Sequence, residues 1–79
     1  MLTVRYFAGA RAAAGVPVES VRAATIDDLT RVLTDRHGER LAVVLKAASF
    51  LVDGLICHDR QAAVPAGATV DVLPPFAGG

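Results

Sequence analysis

Apolar and polar positions alternate at the front of the chain, with Leu2, Val4 and Tyr6 set against Thr3 and Arg5. This is the period of a half-buried β-strand. Phe7 breaks the alternation by falling on the polar side, either as a strand-end residue tucked under a loop or as part of an exposed contact patch. Gly9 to Gly15 reads as a connection with room for a helical turn through Arg11-Ala12-Ala13-Ala14. Val16 to Val21 has enough branched residues for a second strand, and Pro17 marks its start or an edge.

The period changes after Thr25. Ile26, Leu29, Val32 and Leu33 fall on one face at helical spacing. Thr25 can accept a backbone N–H of the first turn, and Asp27 and Asp28 complement the positive end of the dipole. Asp28 stands where a capping box prefers Glu or Gln, so the reciprocal half of the box is weaker. Arg36 and His37 sit in the last turn, and Gly38 is expected to supply a left-handed stop.

Beyond Gly38 the pattern is ambiguous. Leu41, Val43, Val44 and Leu45 fit a short helix or a buried segment equally well. Ser49 to Val52, then Asp53-Gly54, then Leu55-Ile56-Cys57 reads as a hairpin, because Asp-Gly suits a type I′ turn. Pro65-Ala66-Gly67 is a further turn. Thr69 to Leu73 makes a final strand, which Pro74 ends because it has no N–H to donate.

The predicted order is two strands, one main helix, then two or three strands. The first and last strands are too far apart in sequence for a hairpin, but they can lie side by side in parallel at the centre of a mixed sheet. The fold class is therefore α+β, a β-grasp (ubiquitin-like) sheet of four to five strands with the helix packed across one face.

Composition narrows what such a domain does. Seventy-nine residues make one domain, and the 53% apolar content excludes disorder while leaving apolar surface for an interface. Eight basic residues balance eight acidic ones, with no basic stripe, which argues against nucleic acid. The apolar stretch from Leu2 to Ala10 is too short to span a membrane and resembles no signal peptide. One cysteine, Cys57, cannot form an internal disulfide, which fits a cytoplasmic location.

Candidate chemistry is sparse. His37 is expected to cap its helix, His58 to sit in a solvated loop, and Cys57 to be a small buried strand residue. Cys57, His58 and Asp59 are neighbours that point different ways and lack a third orienting group. Neither metal-ligand spacing nor a Gly-rich phosphate loop is present, so no cofactor or metal is expected on this chain. What stands out is the ending Pro74-Pro75-Phe76-Ala77-Gly78-Gly79. Two residues without side chains leave the last carboxylate open to a narrow active site, and two prolines favour an extended tail. Residues 74–79 are thus expected to project from the domain.

Taken together, these residues resemble the small subunit of molybdopterin synthase, the MoaD-type branch of the ubiquitin-like sulfur carriers. The resemblance spans the chain: Tyr6-Phe7-Ala8 with Arg11 and Gly15, Val52-Asp53-Gly54, Gly67-Ala68-Thr69-Val70, and the Pro-Pro-x-x-Gly-Gly tail. Asp53 replaces the family's usual asparagine, and Ala68 the usual acid.

The resemblance implies a sulfur relay. An E1-like adenylating enzyme (MoeB-type) uses ATP to convert the Gly79 carboxylate to an acyl-adenylate, because a carboxylate is a poor electrophile and a mixed anhydride a good one. Sulfur from a persulfide donor then displaces AMP and leaves a thiocarboxylate on Gly79. The large subunit of molybdopterin synthase (MoaE-type) catalyses sulfur transfer to the cyclic pyranopterin precursor. The chain is then not catalytic alone. Gly78 is the slender neck behind Gly79, Phe76 and Phe7 are candidate apolar anchors against partners, and Arg11 is a candidate for a partner's carboxylate. Carriers for thiazole, cysteine or tRNA sulfur share the fold and the ending. A ubiquitin-like binding module that never carries sulfur, and protein conjugation through Gly79, remain open beside them.

Overall fold

The computed structural model describes residues 1–75. Strand β1 (Leu2–Tyr6) buries Leu2, Val4 and Tyr6 and turns Thr3 and Arg5 the other way, as the alternation requires. It leads into helix α1 (Ala8–Ala14) and then into edge strand β2 (Val18–Val21). Helix α2 (Ile26–His37) and helix α3 (Glu39–Ala47) follow, then strands β3 (Ser49–Val52), β4 (Leu55–Ile56) and β5 (Thr69–Leu73). The five strands lie in the order β2-β1-β5-β3-β4. β1 and β5 are the parallel pair, with Val4 opposite Val70 and Tyr6 opposite Val72, while the other pairings are antiparallel. This is the expected β-grasp arrangement, with the first and last strands at its centre.

Two segments are more helical than their patterns suggest. The connection after Phe7 is a seven-residue helix, because alanine favours helix strongly even with Gly9 present. Its small buried Ala10 and Ala14 let the backbone approach the rest of the core. The ambiguous stretch after Gly38 is also helical, burying Leu41 and Leu45 four residues apart and leaving Val43 exposed.

Gly38 joins the two long helices and differs from expectation. Its φ is +91° and its ψ −167°, so it is not a left-handed stop but an extended mirror-image residue that only glycine tolerates. Its N–H closes α2 on the Thr34 carbonyl at 2.8 Å, and α3 starts at the next residue without a loop. At the other end of α2, Thr25 Oγ1 accepts the Asp28 N–H at 3.0 Å, as predicted. The reciprocal bond reaches one residue further back, from the Ala24 N–H to Asp28 Oδ2 at 3.0 Å. That backbone bond first, and Arg31 second, hold the Asp28 carboxyl below its ordinary range.

The core lies between the helices and one face of the sheet. Ile26, Leu29 and Leu33 of α2 and Leu41 and Leu45 of α3 meet Val4, Val21, Phe50, Val70 and Val72 there. The β3–β4 hairpin turns through Asp53 and Gly54 at φ +49° and +85°, the two positive angles that a type I′ turn needs. Asp53 Oδ1 also accepts the Thr69 N–H at 2.9 Å, which ties the turn to the start of β5. Cys57 falls just past β4 rather than within a strand. It is only partly buried, because the hairpin ends at Ile56. Its Sγ faces the Asp59 carbonyl at 3.3 Å.

Candidate functional site

The parallel pairing of β1 and β5 decides which residues stand where the chain leaves the sheet. β5 ends at Leu73, Pro74 is buried and Pro75 is exposed. The Phe7 N–H donates to the Val72 carbonyl at 3.3 Å, so Phe7 sits beside the C-terminal end of β5. Phe7 is 38% exposed on the face of the sheet opposite the helices, so it is not tucked away under a loop.

Arg11 lies on α1, exposed, and shares with Phe7 a recess of about 320 Å³ whose other walls include Arg5, Pro17 and Val18. A second recess of about 410 Å³ adjoins it through Ala8, Arg11 and Pro17. The structure thus brings together Phe7 and Arg11, two of the predicted site residues. Phe76, Gly78 and Gly79 lie outside the described residues.

Arg5 and Asp71, which the pattern did not single out, organise this face. They sit in register on the central parallel pair. The guanidinium grips the carboxylate with two bonds, Nε to Oδ1 at 2.5 Å and Nη2 to Oδ2 at 2.8 Å. The hydrogen bond to Asp71, and then its charge, raise the Arg5 pKa. The same guanidinium lies 5.7 Å from the centre of the Phe7 ring, within cation–π range. Asp71 therefore fixes Arg5, and Arg5 supports Phe7. The pairing spans 66 residues of sequence, and strand alternation shows only that both point outward. Val18 and Ile56 add exposed apolar surface, at 49% and 53% exposure. Leu51 opposes Asp71 on this face, and Ile56 opposes Leu51.

The remaining candidates behave as ordinary structure. His58 is exposed in a loop, as expected. The His37 ring does not turn back to cap α2 but contacts Glu19 on β2. Arg60, also unremarked in the sequence, caps α3 from a distance, its Nη2 donating to the carbonyls of Leu45 at 3.2 Å and Ala48 at 3.0 Å. Its guanidinium stacks 4.9 Å over Phe50. A groove of about 380 Å³ between α2 and α3, lined by Thr34, Glu39, Lys46 and Arg60 among others, holds no nucleophile–base pair. Among the described residues no group of three metal-ligating side chains comes together, and no helix is long and apolar enough to cross a membrane.

Comparison with known proteins separates the meanings this surface could have. Residues 4–79 match the ThiS family. The chain belongs to that family. Solved structures agree on the fold. The putative molybdopterin converting factor subunit 1 of Pyrococcus furiosus is 24% identical with a TM-score of 0.76, over 95% of this chain and 97% of that one. Subunit 1 of the molybdopterin-converting factor of Helicobacter pylori, solved as a complex with subunit 2, provides a chain that is 19% identical with a TM-score of 0.73 (99% and 97% covered). The small archaeal modifier protein 1 of Methanosarcina acetivorans is 21% identical with a TM-score of 0.83 (99% and 95% covered). A search of curated proteins found no match. This ThiS-family chain therefore has the fold seen in a molybdopterin converting factor subunit 1 and in small archaeal modifier protein 1.

Proposed function

We propose that this ThiS-family chain is the small subunit of a molybdopterin synthase, carrying sulfur as a thiocarboxylate on Gly79. The observation that carries the reading is the family match, which runs through the Pro74-Pro75-Phe76-Ala77-Gly78-Gly79 segment. Two structural similarities, to molybdopterin converting factor subunit 1 from two organisms, support the choice of acceptor.

The chemistry follows from the ending. In an E1-like adenylating enzyme, a Gly79 carboxylate oxygen attacks the α-phosphorus of ATP and pyrophosphate leaves. The terminal sulfur of a persulfide donor then adds to the activated carbonyl and AMP departs, giving an acyl disulfide, and a second thiol cleaves its S–S bond to leave the thiocarboxylate on Gly79 and a disulfide behind. The narrow Gly78-Gly79 neck lets these steps occur inside an enclosed channel. The large subunit then receives the tail, and the pyranopterin precursor takes the sulfur. The part left to the folded domain is docking, through Phe7 and Arg11 beside the exit of β5 and through Phe76 within the tail. The complex of subunits 1 and 2 from Helicobacter pylori supports a large-subunit partner of this kind.

A second reading has its own support, since three structural similarities are to small archaeal modifier protein 1, from two organisms. There the same acyl-adenylate is attacked by an amine, forming an isopeptide in place of a thiocarboxylate. Intact-mass measurement after co-expression with the activating enzyme separates the two. A carrier gains the mass of sulfur in place of oxygen on its C-terminal peptide; a modifier appears on the lysines of other proteins. A Gly79 that remains a plain carboxylate with ATP and every cognate activating enzyme overturns both. Deleting Gly79 abolishes sulfur transfer in the carrier reading and leaves thermal stability unchanged.

A further inference from the structure

Glu19 sits on edge strand β2 in register with Val4, on the side of the sheet that the helices cover. Its side chain is only 14% exposed. The groups that face it are Tyr6 from β1 and Arg36 and His37 from the last turn of α2. Tyr6 Oη donates to Glu19 Oε2 at 2.6 Å, and His37 Nε2 contacts the same oxygen. Arg36 Nη1 donates to Oε1 at 2.7 Å and to the Ser20 carbonyl at 3.2 Å. The Tyr6 and His37 rings meet edge to face with centres 6.1 Å apart. An ionised carboxylate only accepts, so all three neighbours act as donors to it.

β2 has few other attachments. One side pairs with β1 from Leu2 opposite Val21 to Arg5 opposite Val18, and the other side is the edge of the sheet. Of its four residues Val18 and Ser20 are exposed, and Val21 alone joins the core. Glu19 is therefore the tie that holds the first half of this strand to the helix layer.

We propose that Glu19, with Tyr6, Arg36 and His37, forms a proton-operated latch that binds β2 to the end of α2, and that acid frees the Val18–Glu19 end of the strand before the rest of the sheet. Protonation puts an O–H where three donors converge and removes the counter-charge of Arg36. Burial is the largest single influence on Glu19 and pushes its carboxyl up. The hydrogen bonds from Tyr6, Arg36 and His37 together outweigh it, so the folded value lies below the ordinary one. A carboxyl lowered on folding adds stability that is present above its unfolded value and lost as pH falls through the folded one. The latch is thus closed near neutrality and opens in the acid range.

Opening has a local consequence. The Tyr6 N–H is held by the Pro17 carbonyl at 2.9 Å, and Pro17 and Val18 wall the recess beside Phe7 and Arg11. Releasing them removes that wall. The latch itself stands whatever the recess binds.

Amide hydrogen exchange of the full chain, followed by NMR from about pH 7 to about pH 3 and corrected for intrinsic rates, tests it. Protection of the Tyr6 and β2 amides is expected to fall at least about tenfold relative to β5 amides as the pH drops. In Glu19→Gln the ratio starts low and stays flat. A constant ratio in the native chain, or a native pH response in Glu19→Gln, overturns the proposal. Should Glu19→Gln fail to fold, Arg36→Gln keeps the question open to test. Losing one donor moves the midpoint to higher pH, and an unmoved midpoint refutes the latch.

Discussion

The two faces of the central strands serve opposite purposes. On the covered face, the side chains of Val4, Val70 and Val72 are fully buried in the apolar core with Ile26, Leu29 and Leu33 of α2 and Leu41 and Leu45 of α3. On the open face, one residue along each strand, Arg5 and Asp71 form a bidentate ion pair with Phe7 resting against it. The first face supplies stability, since apolar burial scales with area removed from water. The second is polar and partly exposed, with the half-exposed Arg5 side chain covering the buried Asp71 carboxylate that pairs with it. The difference teaches that a strand interior to a sheet can carry an apolar core and a charged, partly exposed surface at alternate positions.

The sharpest break of that division is Phe50→Ala on the covered face. Phe50 is 1% exposed, and its loss is expected to cost about 3–5 kcal/mol in denaturant unfolding. Arg60 loses its stacking partner in the same variant, so a cost at the upper end is expected. If unfolding free energy drops by less than about 1 kcal/mol, the covered face is not the source of stability.

Phe7→Ala tests the open face. Stability is expected to change by no more than about 1 kcal/mol, the size of its cation–π contact. Affinity for the cognate large subunit, measured by calorimetry, is expected to fall by about 2 kcal/mol or more, as for an exposed aromatic anchor. The reverse pattern would make Phe7 a structural residue.

Two smaller effects belong to helix ends. Thr25→Ala removes the acceptor of the Asp28 N–H, and about 1 kcal/mol of thermal or denaturant stability is expected to go with it. Ala8, directly after Phe7, carries a φ of +49°, a strained angle for a residue with a Cβ. Ala8→Gly is expected to raise stability by about 0.5 kcal/mol through relief of that strain. A loss instead would show that the Ala8 methyl group contributes more by packing.

Much of this division was legible in the chain. The alternation of Leu2, Val4 and Tyr6, the Thr25 cap, the helical face of α2 and the Asp53-Gly54 turn each carry their signal within a few residues. Local chemistry determines them, so periodicity and turn rules suffice. α1 and α3 were less clear, because an alanine run with a glycine and a short apolar stretch suit more than one structure until packing chooses. Gly38 was recognised as a stop, yet its unusual ψ depends on where α3 must go. The candidate site divides in the same way. The Gly-Gly ending and Phe7 stood out as residues, but Arg5 with Asp71, Glu19 with His37, and Arg60 with the end of α3 did not.

By itself the sequence determined β1, β2, α2, the Asp53-Gly54 hairpin and β5, and the parallel centre implied by a first and last strand. Only the tertiary structure decided which charges meet. A guanidinium and a carboxylate 66 residues apart become partners when parallel pairing sets Arg5 opposite Asp71, and a glutamate on an edge strand meets three donors when α2 ends above it. Periodicity tells which way a side chain points; register and packing determine what it finds there.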